Sequence, residues 1–402
     1  MRIELKPGRA HGTVAAPPSK SMAHRLLLCA ALADGVSTVR GIAESEDMLA
    51  TLDCIRALGA DWSRTGDTVT VRGGLHPTGR PFPCRESGST LRFFIPAALL
   101  SGGEAVFTGT QRLMERGVGV YEAVFAEKGI AVEKQAARLT LRGRLPAGAY
   151  TLPGNVSSQF ISGLLFALPL LDADSSLTIL PPVESRPYLE LTRAAQRTFG
   201  VFSEERGEDR IFLPGGQRYH AAQAVAEGDW SNAAALLALN ALGGTVTVTG
   251  LDAQSLQGDR ACVDHLAALE RPGAALDLSP CPDLAPVLFA VAAAKHGAYF
   301  TGTRRLRIKE SDRAQAMAQE LEKFGIRVRV EENAVTVFPG ALHTPSEPLD
   351  SHNDHRIVMA LALLCTQTGG EITNAEAVKK SYPSFFDDLR RLGLEVRNGT
   401  DA

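Results

Sequence analysis

Residues 17–41 read PPSKSMAHRLLLCAALADGVSTVRG, and this stretch contains the pattern from which the rest of the chain is built. Its segment LLLCAALA (26–33) is apolar on nearly every side, which is typical of a helix buried all round. An Asp-Gly turn follows, and then a β-like run. The stretch therefore predicts a buried helix that leads into a strand.

The same pattern recurs along the chain. Helices that are apolar nearly all round are predicted at FISGLLFALPLL (160–171), AAALLALNAL (233–242) and IVMALALLC (357–365). The runs TVTVRG at 68, RLTLRG at 138, TVTVTG at 245 and AVTVFPG at 334 alternate apolar with polar residues, which predicts strands with one face in solvent. We therefore expect an α/β fold turned inside out, with the helices inside and the sheets outside.

Amphipathic helices that end at a glycine mark six repeated units. The glycines are Gly59, Gly129, Gly200, Gly273, Gly325 and Gly393, at intervals of 70, 71, 73, 52 and 68 residues. Each unit is predicted to run helix, strand, helix, strand, strand. The pattern is interrupted at EGDWS (227–231), which separates two groups of three units.

This interruption predicts two domains of three repeats each. The first comprises residues 19–226, and the second is assembled from residues 1–18 and 227–402, with the strand IELKPG completing its last sheet. The alternative is one long repeat array. In the two-domain case the buried helices would converge at one end of each domain, and the active site is expected in the cleft between the domains.

Composition excludes several classes of protein. The 402 residues carry 42 basic and 45 acidic side chains, a net charge of −3, which gives no global reason to expect nucleic acid or an anionic membrane as partner. The six cysteines form no CxxC and lie mostly in apolar runs, so we expect reduced core residues. The N-terminus has no apolar signal segment, and a cytoplasmic protein is predicted.

Several common cofactor and catalytic motifs are absent. The sequence has no GxGxxG, GxxxxGK[ST], HExxH or GxSxG. The one close histidine pair, His352 and His355, has no convincing third ligand nearby, so we predict no metal and no cofactor.

What recurs is a predicted helix start that carries serine or glycine together with a basic residue. Examples are PPSKSMAHR, ESGSTLR, GNVSSQF, ESRPYLE, RIKESDR, SHNDHR and VKKSYP. Helix N-termini offer unpaired N–H groups, and Lys or Arg adds full charge, so each is a candidate cradle for a phosphate or carboxylate. The alternative is ordinary capping by residues such as Ser19, Ser89, Asp283 and Ser311. Asp283 and Glu310 are candidate proton shuttles.

Taken in order, PSKSMAHR, SGSTLR, KESDR, NDHR and KSYP resemble the enolpyruvylshikimate-3-phosphate (EPSP) synthase family, through essentially the whole chain. The resemblance implies two inside-out domains of three repeats and two substrates, shikimate 3-phosphate and phosphoenolpyruvate (PEP). It also implies a monomer that uses no metal or cofactor and is a target of the PEP mimic glyphosate.

The resemblance also assigns site residues. The implied catalytic residues are Asp283, Glu310, Lys20 and Lys309. Asp283 would be the base at the substrate 5-hydroxyl, Glu310 the acid at the PEP methylene, and Lys309 would lie beside the transferred oxygen. The implied shikimate 3-phosphate contacts are Lys20, Ser21, Arg25, Ser157, Ser158, Gln159, Ser185, Tyr188, Asp283 and Lys309. The implied PEP contacts are Lys20, Gly88, Ser89, Arg116, Gln159, Arg313, Arg356 and Lys380.

The chain departs from common family patterns at four positions, which are Arg305, Ser89, Gly117 and Phe93. An alternative is the related UDP-N-acetylglucosamine enolpyruvyl transferase, which usually carries a reactive cysteine in the loop that is GTQRLMERGVGVY here, without one. A non-enzymatic repeat scaffold is a third possibility, but it predicts apolar stripes on strands that instead present Thr and Arg.

Overall fold

A computed structural model describes residues 1–76 and 78–399 of the chain. By its internal contacts the chain divides into two compact units. The continuous unit is Pro18–Glu227, and the split unit is Met1–Pro17 together with the chain from Gly228 onward. Within the described residues, no helix combines the length and the apolar character needed to cross a bilayer.

The strands of the continuous unit are short and run in the following order. They are β3 Gly35–Arg40, β4 Asp61–Thr65, β5 Thr68–Gly73, β6 Phe82–Pro83, β7 Glu104–Thr108, β8 Ala131–Gln135, β9 Arg138–Arg142, β10 Ala149–Pro153, β11 Ser175–Leu180, β12 Glu204–Glu205, β13 Arg210–Leu213 and β14 Gln223–Val225. Its helices are α1 Lys20–Leu32, α2 Glu46–Leu58, α3 Gly88–Ala98, α4 Gln111–Glu115, α5 Gly119–Glu127, α6 Ser158–Ala167 and α7 Arg186–Thr198, and a 3₁₀ turn covers Leu168–Leu170.

The strands of the split unit come from both ends of the chain. They are β1 Ile3–Leu5, β2 His11–Ala15, β15 Thr245–Thr249, β16 Ala275–Asp277, β17 Ala298–Thr301, β18 Val328–Val330, β19 Ala334–Val337, β20 Leu349–Asp350, β21 Gly370–Thr373 and β22 Val396–Asn398. Its helices are α8 Trp230–Ala241, α9 Cys262–Leu269, α10 Ala285–Ala294, α11 Arg313–Lys323, α12 His355–Thr368 and α13 Phe385–Arg391. The 3₁₀ turns are Gly258–Ala261, Pro282–Leu284, Arg304–Ile308 and Ala375–Lys380.

One sheet design is repeated in both units. In the continuous unit the strand orders are β14-β3-β5-β4, β6-β7-β9-β8 and β10-β11-β13-β12, each with one parallel pair followed by antiparallel pairs. The split unit has β16-β17-β19-β18 and β20-β21-β1-β22 of the same design, and a parallel pair of β15 with β2. The N-terminal strand thus completes the last sheet, as predicted.

The predicted buried helices form the core of each unit. In α10 every residue from Ala285 to Ala293 is buried, and α6 and α12 are almost as fully enclosed. Small residues permit this packing: a β-carbon on Gly163 of α6 would lie 2.4 Å from the carbonyl oxygen of Arg92 in α3. Strands such as β15 keep alternate residues exposed. The predicted fold class, inside-out α/β with buried helices and outer sheets, is confirmed.

The predicted helix caps are only partly correct. Ser19 caps α1, accepting from the Met22 amide, but the cap of α3 is Ser87 and not Ser89. Likewise Asp312, and not Ser311, caps α11. In each case the residue with extended ψ directly before the helix takes the role, because only there can its side-chain oxygen reach the amide three residues on.

Candidate functional site

Lys20, the first residue of α1, is held by an ion pair. Its Nζ lies 2.9 Å from Oδ2 of Asp47 in the first turn of α2, and both side chains are mostly buried. The pair joins the starts of two helices, so the ammonium has a fixed position. Sequence reasoning did not select Asp47. Acidic residues are common in the first turn of a helix because they interact favourably with the helix dipole, so Asp47 did not stand out as a site residue.

Arg25, one turn further along α1, is almost fully buried. Its guanidinium donates from Nη1 to the Ser21 carbonyl at 2.6 Å, from Nη2 to the Tyr188 carbonyl at 3.0 Å, and from Nε to Thr192 Oγ1 at 2.9 Å. Burial lowers the pKa of Arg25 to about 10, which leaves it a cation at neutral pH. The structure therefore brings together Ser21, Arg25 and Tyr188, three residues that the resemblance assigns to shikimate 3-phosphate.

Gln159 connects the start of α6 to the start of α3. Its Nε2 donates to Ser89 Oγ at 2.9 Å, and its Oε1 accepts from Arg92 Nη1 at 2.5 Å. Ser157 caps α6 by accepting from the Gln159 amide, and Ser158 is the first residue of that helix. The predicted residues of GNVSSQF and ESGSTLR thus lie in one hydrogen-bonded group.

Arg92 also holds the segment that carries Arg116. Its Nη2 donates to the carbonyls of Arg116 and Gly117, both at 3.3 Å. A β-carbon on Gly88 would lie 3.0 Å from Arg116 Nη2 and 3.2 Å from Arg92 Nη1. Two guanidinium groups therefore approach the N-terminal backbone of α3, where its amides point outward.

Ser185 lies directly before α7 with φ of 56°, in the left-handed region. Its carbonyl accepts from the amide of Tyr188, whose ring centroid lies 6.0 Å from Cζ of Arg25. A non-glycine residue in this region costs about 1–3 kcal/mol and is concentrated at functional sites. Ser185 and Tyr188 are thus placed beside the Arg25 group.

In the split unit, Asp283 lies in the 3₁₀ turn that precedes α10. Its Oδ1 accepts from Lys309 Nζ and from Arg313 Nη1, each at 2.9 Å. The alternative that Asp283 caps the helix does not hold: α10 begins at Ala285, after Leu284, with no side-chain cap. The carboxylate is directed to cations instead, so capping does not explain its presence.

The electrostatics of this pair follow from its neighbours. Burial raises the pKa of Asp283, but the cations Lys309, Arg313 and Arg356 outweigh burial and hold it well below the ordinary range. The pKa of Lys309 is lowered, because burial and Arg313 together exceed the attraction of Asp283. Asp283 is therefore ionised at neutral pH, and Lys309 releases a proton more readily than an exposed lysine does.

Arg313, the first residue of α11, is the most enclosed cation of the group, with a side chain 1% exposed. It contacts three carboxylates: Asp283, Glu310 through Nη2 at 2.8 Å, and Asp354 through Nε at 2.8 Å. Burial by itself lowers the pKa of Arg313, but the three carboxylates raise the pKa by more than burial lowers it. Arg313 is therefore charged at all ordinary pH values. The predicted Glu310, Lys309, Asp283 and Arg313 are all brought together.

Asp354 is the central residue that sequence reasoning missed. It accepts from Arg313, from Ser311 Oγ at 3.0 Å and from the Arg356 amide at 2.9 Å, where it caps α12. Arg356 in turn donates from Nη1 to Asn232 Oδ1 at 2.9 Å, and its buried Nε has no hydrogen-bond partner among the described residues. A signal existed in SHNDHR, an acid two residues before a candidate arginine.

Lys380 does not lie at a helix start, contrary to the prediction for VKKSYP. It is the last residue of the 3₁₀ turn Ala375–Lys380, and α13 begins only at Phe385. Its Nζ donates to the carbonyl of Asn353, in the turn before α12. Lys380 therefore joins the Asp354 group through the backbone of that turn.

Arg305 is buried, and its Nη2 donates to the carbonyl of Ser279 at 2.5 Å. Ser279 lies four residues before Asp283, and its amide donates to Asp277 Oδ1 at 3.0 Å. The guanidinium thus supports the segment that leads into the Asp283 turn.

Among residues 1–76 and 78–399 no group of three or more His, Cys, Asp or Glu side chains is arranged to hold a metal ion. The expectation that no cofactor is needed stays a prediction.

Each unit therefore gathers cations and hydroxyls near the ends of buried helices, and in both units carboxylates are bonded to cations, Asp47 to Lys20 in one and Asp283 to Lys309 and Arg313 in the other. Such groups are typical of an enzyme that binds small anionic substrates and has acid–base side chains beside fixed cations.

Comparison with known proteins identifies the family. A profile described as EPSP synthase (3-phosphoshikimate 1-carboxyvinyltransferase) matches residues 5–271 and 266–389. The chain belongs to this family of enolpyruvyl transferases. A 3-phosphoshikimate 1-carboxyvinyltransferase of Clostridium kluyveri is 38% identical over 98% of each chain, and one of Clostridium beijerinckii is 37% identical over 97% of each.

A solved structure has the same fold. The EPSP synthase from Acinetobacter baumannii matches with a TM-score of 0.80 at 24% identity, and the match covers 99% of this chain and 100% of that one.

Proposed function

We propose that the chain transfers the enolpyruvyl group of PEP to the 5-hydroxyl of shikimate 3-phosphate, which yields EPSP and phosphate in the shikimate pathway of aromatic amino acid biosynthesis. The observation that supports it most directly is the Asp283, Lys309, Glu310 and Arg313 group, in a chain that belongs to the EPSP synthase family. The reaction needs a base, an acid and fixed positive charge, and this group has all three.

The proposed site residues are assigned by substrate. For shikimate 3-phosphate they are Lys20, Ser21, Arg25, Ser157, Ser158, Gln159, Ser185, Tyr188, Asp283 and Lys309. For PEP they are Lys20, Gly88, Ser89, Arg116, Gln159, Arg313, Arg356 and Lys380. The grouping of Ser21 with Arg25 and Tyr188, and of Ser89 with Gln159, supports these assignments.

In the first half of the reaction, Glu310 would protonate PEP at C3, which generates oxocarbenium character at C2. The 5-hydroxyl oxygen attacks C2 as its proton passes to Asp283, which is ionised and hydrogen-bonded to Lys309. The product of this half is a tetrahedral ketal phosphate. General acid–base catalysis supplies about 10²–10⁴-fold of the rate, and fixed cations stabilise the developing charge.

In the second half the proton flow reverses: C3 returns a proton to the Glu310 carboxylate, and the C2–O bond to phosphate breaks as the proton held by Asp283 passes to the departing phosphate. The departing phosphate carries the negative charge, which Lys and Arg side chains that are already held in place can stabilise. Arg313 suits this role because Asp354 and Glu310 fix its guanidinium before any substrate binds.

We also propose a monomeric, cytoplasmic enzyme without a nucleic-acid or membrane partner. All six cysteines are free and buried, which supports a reducing compartment. The UDP-N-acetylglucosamine transferase alternative is not favoured, since the curated relatives are named 3-phosphoshikimate 1-carboxyvinyltransferase and the loop that would carry its cysteine has none.

A phosphate-release assay tests the proposal. Purified protein is given PEP with shikimate 3-phosphate, and in parallel PEP with UDP-N-acetylglucosamine, with Glu310→Gln as the control protein. We expect release only with the first pair and a loss of at least about 10²-fold in Glu310→Gln. Release only with the second pair, or equal release by wild type and control, would contradict the proposal.

A further inference from the structure

The turn that precedes α12, residues 350–354, has an unfavourable backbone. His352 and Asn353 have φ of 50° and 53°, so two successive residues with a β-carbon lie in the left-handed region. Such a pair persists only where surrounding contacts hold it. The contacts of this turn are therefore informative about what its shape serves.

The turn carries or holds three of the cations proposed for PEP. The Asn353 carbonyl accepts from Lys380, and the Asp354 carboxylate accepts from Arg313. Asp354 also caps α12, in which Arg356 is the second residue. A change in the path of this turn would therefore move the side chains of Lys380, Arg313 and Arg356.

Glu320 supports the turn from α11. Its side chain is 2% exposed, and Oε1 accepts from His352 Nε2 at 3.0 Å. Oε2 accepts from the backbone amide of Asp350 at 2.9 Å and pairs with Lys323 Nζ at 3.0 Å. A buried carboxylate that is bonded to the first residue and to the middle residue of one turn restricts the path of that turn.

The same helix holds the turn at a second point. Arg313 and Glu320 are seven residues apart on α11, which places them two turns apart on one face. The first bonds Asp354 and the second bonds His352 and Asp350. Two attachments to one rigid helix explain how the unfavourable conformation is maintained.

We propose that Glu320 and His352 are positioning residues for PEP binding, which act by holding the turn that orients Lys380, Arg313 and Arg356. The inference rests on the proposed function. Neither residue is assigned a contact with substrate. Their action is assigned to the PEP side of the site, because Lys380, Arg313 and Arg356 are all among the residues proposed for PEP.

Steady-state kinetics of four variants test the inference, with the KM of each substrate measured separately. We expect His352→Leu and Glu320→Ala to raise the KM for PEP at least about tenfold, while kcat and the KM for shikimate 3-phosphate change less than about threefold. His352→Gln keeps a donor and should remain within about threefold of wild type. The double variant Glu320→Ala with His352→Leu should have a KM for PEP no higher than that of Glu320→Ala, because Glu320→Ala already removes the interaction that His352→Leu removes.

Two controls separate positioning from general loss of structure. Glu322→Gln changes an exposed acid of α11 and should leave every parameter unchanged. Phe300→Leu, in the core of the same unit, should lower the urea midpoint of unfolding without a selective rise in the KM for PEP. An unchanged KM for PEP in His352→Leu would overturn the inference. So would a change in His352→Leu that affects kcat and both KM values alike and comes with a fall in the urea midpoint as in Phe300→Leu. An inactive wild type would instead contradict the proposed function itself.

Discussion

The carboxylate of Asp283 is bonded to two cations and to no helix amide, which sharpens what its substitution should do. Asp283→Asn removes the negative charge to which Lys309 and Arg313 are both bonded, and the asparagine amide cannot act as a base. We expect a rate loss of at least about 10²-fold. We also expect a free energy of unfolding lower by about 1–3 kcal/mol, because the partly buried ammonium of Lys309 loses its partner.

The measurement is turnover by phosphate release together with urea unfolding of both proteins. Asp264→Asn, an exposed acid of α9 in the same unit, is the matched control and should behave as wild type. Turnover of Asp283→Asn within a few-fold of wild type would return this residue to a structural role.

His24 provides a pH-dependent test at a single buried residue. It is 1% exposed, with Nδ1 2.7 Å from Thr51 Oγ1, and burial together with Lys20 and Arg25 holds the pKa of His24 well below the ordinary value. The unfolded chain binds a proton near pH 6.5 and the folded chain does not. The stability that the neutral ring contributes is therefore present above about pH 6.5 and is lost as pH falls.

We expect the free energy of unfolding of wild type, relative to His24→Asn, to fall by about 1 kcal/mol per pH unit between about pH 6 and 5. Trp62 lies in the same unit, so its fluorescence in a Trp230→Phe background reports urea unfolding there. If the difference in free energy of unfolding between wild type and His24→Asn does not vary with pH in this range, His24 is protonated in the folded protein as it is in the unfolded chain. The pH dependence of stability has the opposite sign at His352. Hydrogen bonding to Glu320 raises the pKa of His352, so the stability that the protonated ring contributes is lost as pH rises above 6.5.

Sequence reasoning at the residue scale was most effective where a cation is rare in its surroundings. Lys20, Arg25 and Arg356 stand at or near the starts of otherwise apolar helices, and a charge there must have a partner. The carboxylates were harder to find. Whether Asp354 or Asp283 caps a helix or binds a cation depends on neighbours far apart in sequence, which no local pattern contains.

At the scale of the element, the start of α3 predicts a steric effect. A β-carbon on Gly88 would be tight against Arg116 and Arg92, whose guanidinium groups must then shift by a few tenths of an ångström. We expect Gly88→Ala to raise the KM for PEP several-fold. If glyphosate occupies the PEP position, as we propose, its inhibitory constant should rise more than that KM, since the longer mimic needs more room.

The measurement is inhibition by glyphosate at several PEP concentrations in wild type and Gly88→Ala. Gly8→Ala is the control, because a β-carbon there meets only ordinary contact, 3.5 Å from Leu394. Noncompetitive or absent inhibition of wild type would show that the mimic does not share the PEP position. An unchanged KM for PEP in Gly88→Ala would remove Gly88 from the proposed site.

Elements whose periodicity is strong were the easiest to predict. Buried helices such as α6 and α10 are apolar on every side, and in strands such as β5 and β15 apolar and polar residues alternate. The local pattern alone therefore indicates whether each segment is a helix or a strand. The helix starts were less predictable. In ESGSTLR two serines compete for one cap, and Ser87 takes it because its backbone is extended where that of Ser89 is helical.

For the whole molecule, the fold class was predictable because one pattern is repeated, and repetition makes a weak signal strong. The exception is the sheet of β15 with β2, which has two strands where the others have four. The repeat carries a sign of this reduction, because the interval from Gly273 to Gly325 is 52 residues where the others are 68 to 73. Local sequence does not determine which residues face each other in neighbouring strands. Ile3 pairs with both Ile372 and Asn398, which are far from it along the chain.

That pairing has a consequence for how the protein is made. A ribosome releases Ile3 long before Ile372 and Asn398, so β1 has no neighbouring strand until both of these segments have been made. The continuous unit, Pro18–Glu227, contains all the strands of its own sheets and can fold while translation continues. The nascent chain would thus carry one folded unit and an unpaired strand β1, which pairs once β21 and β22 have emerged.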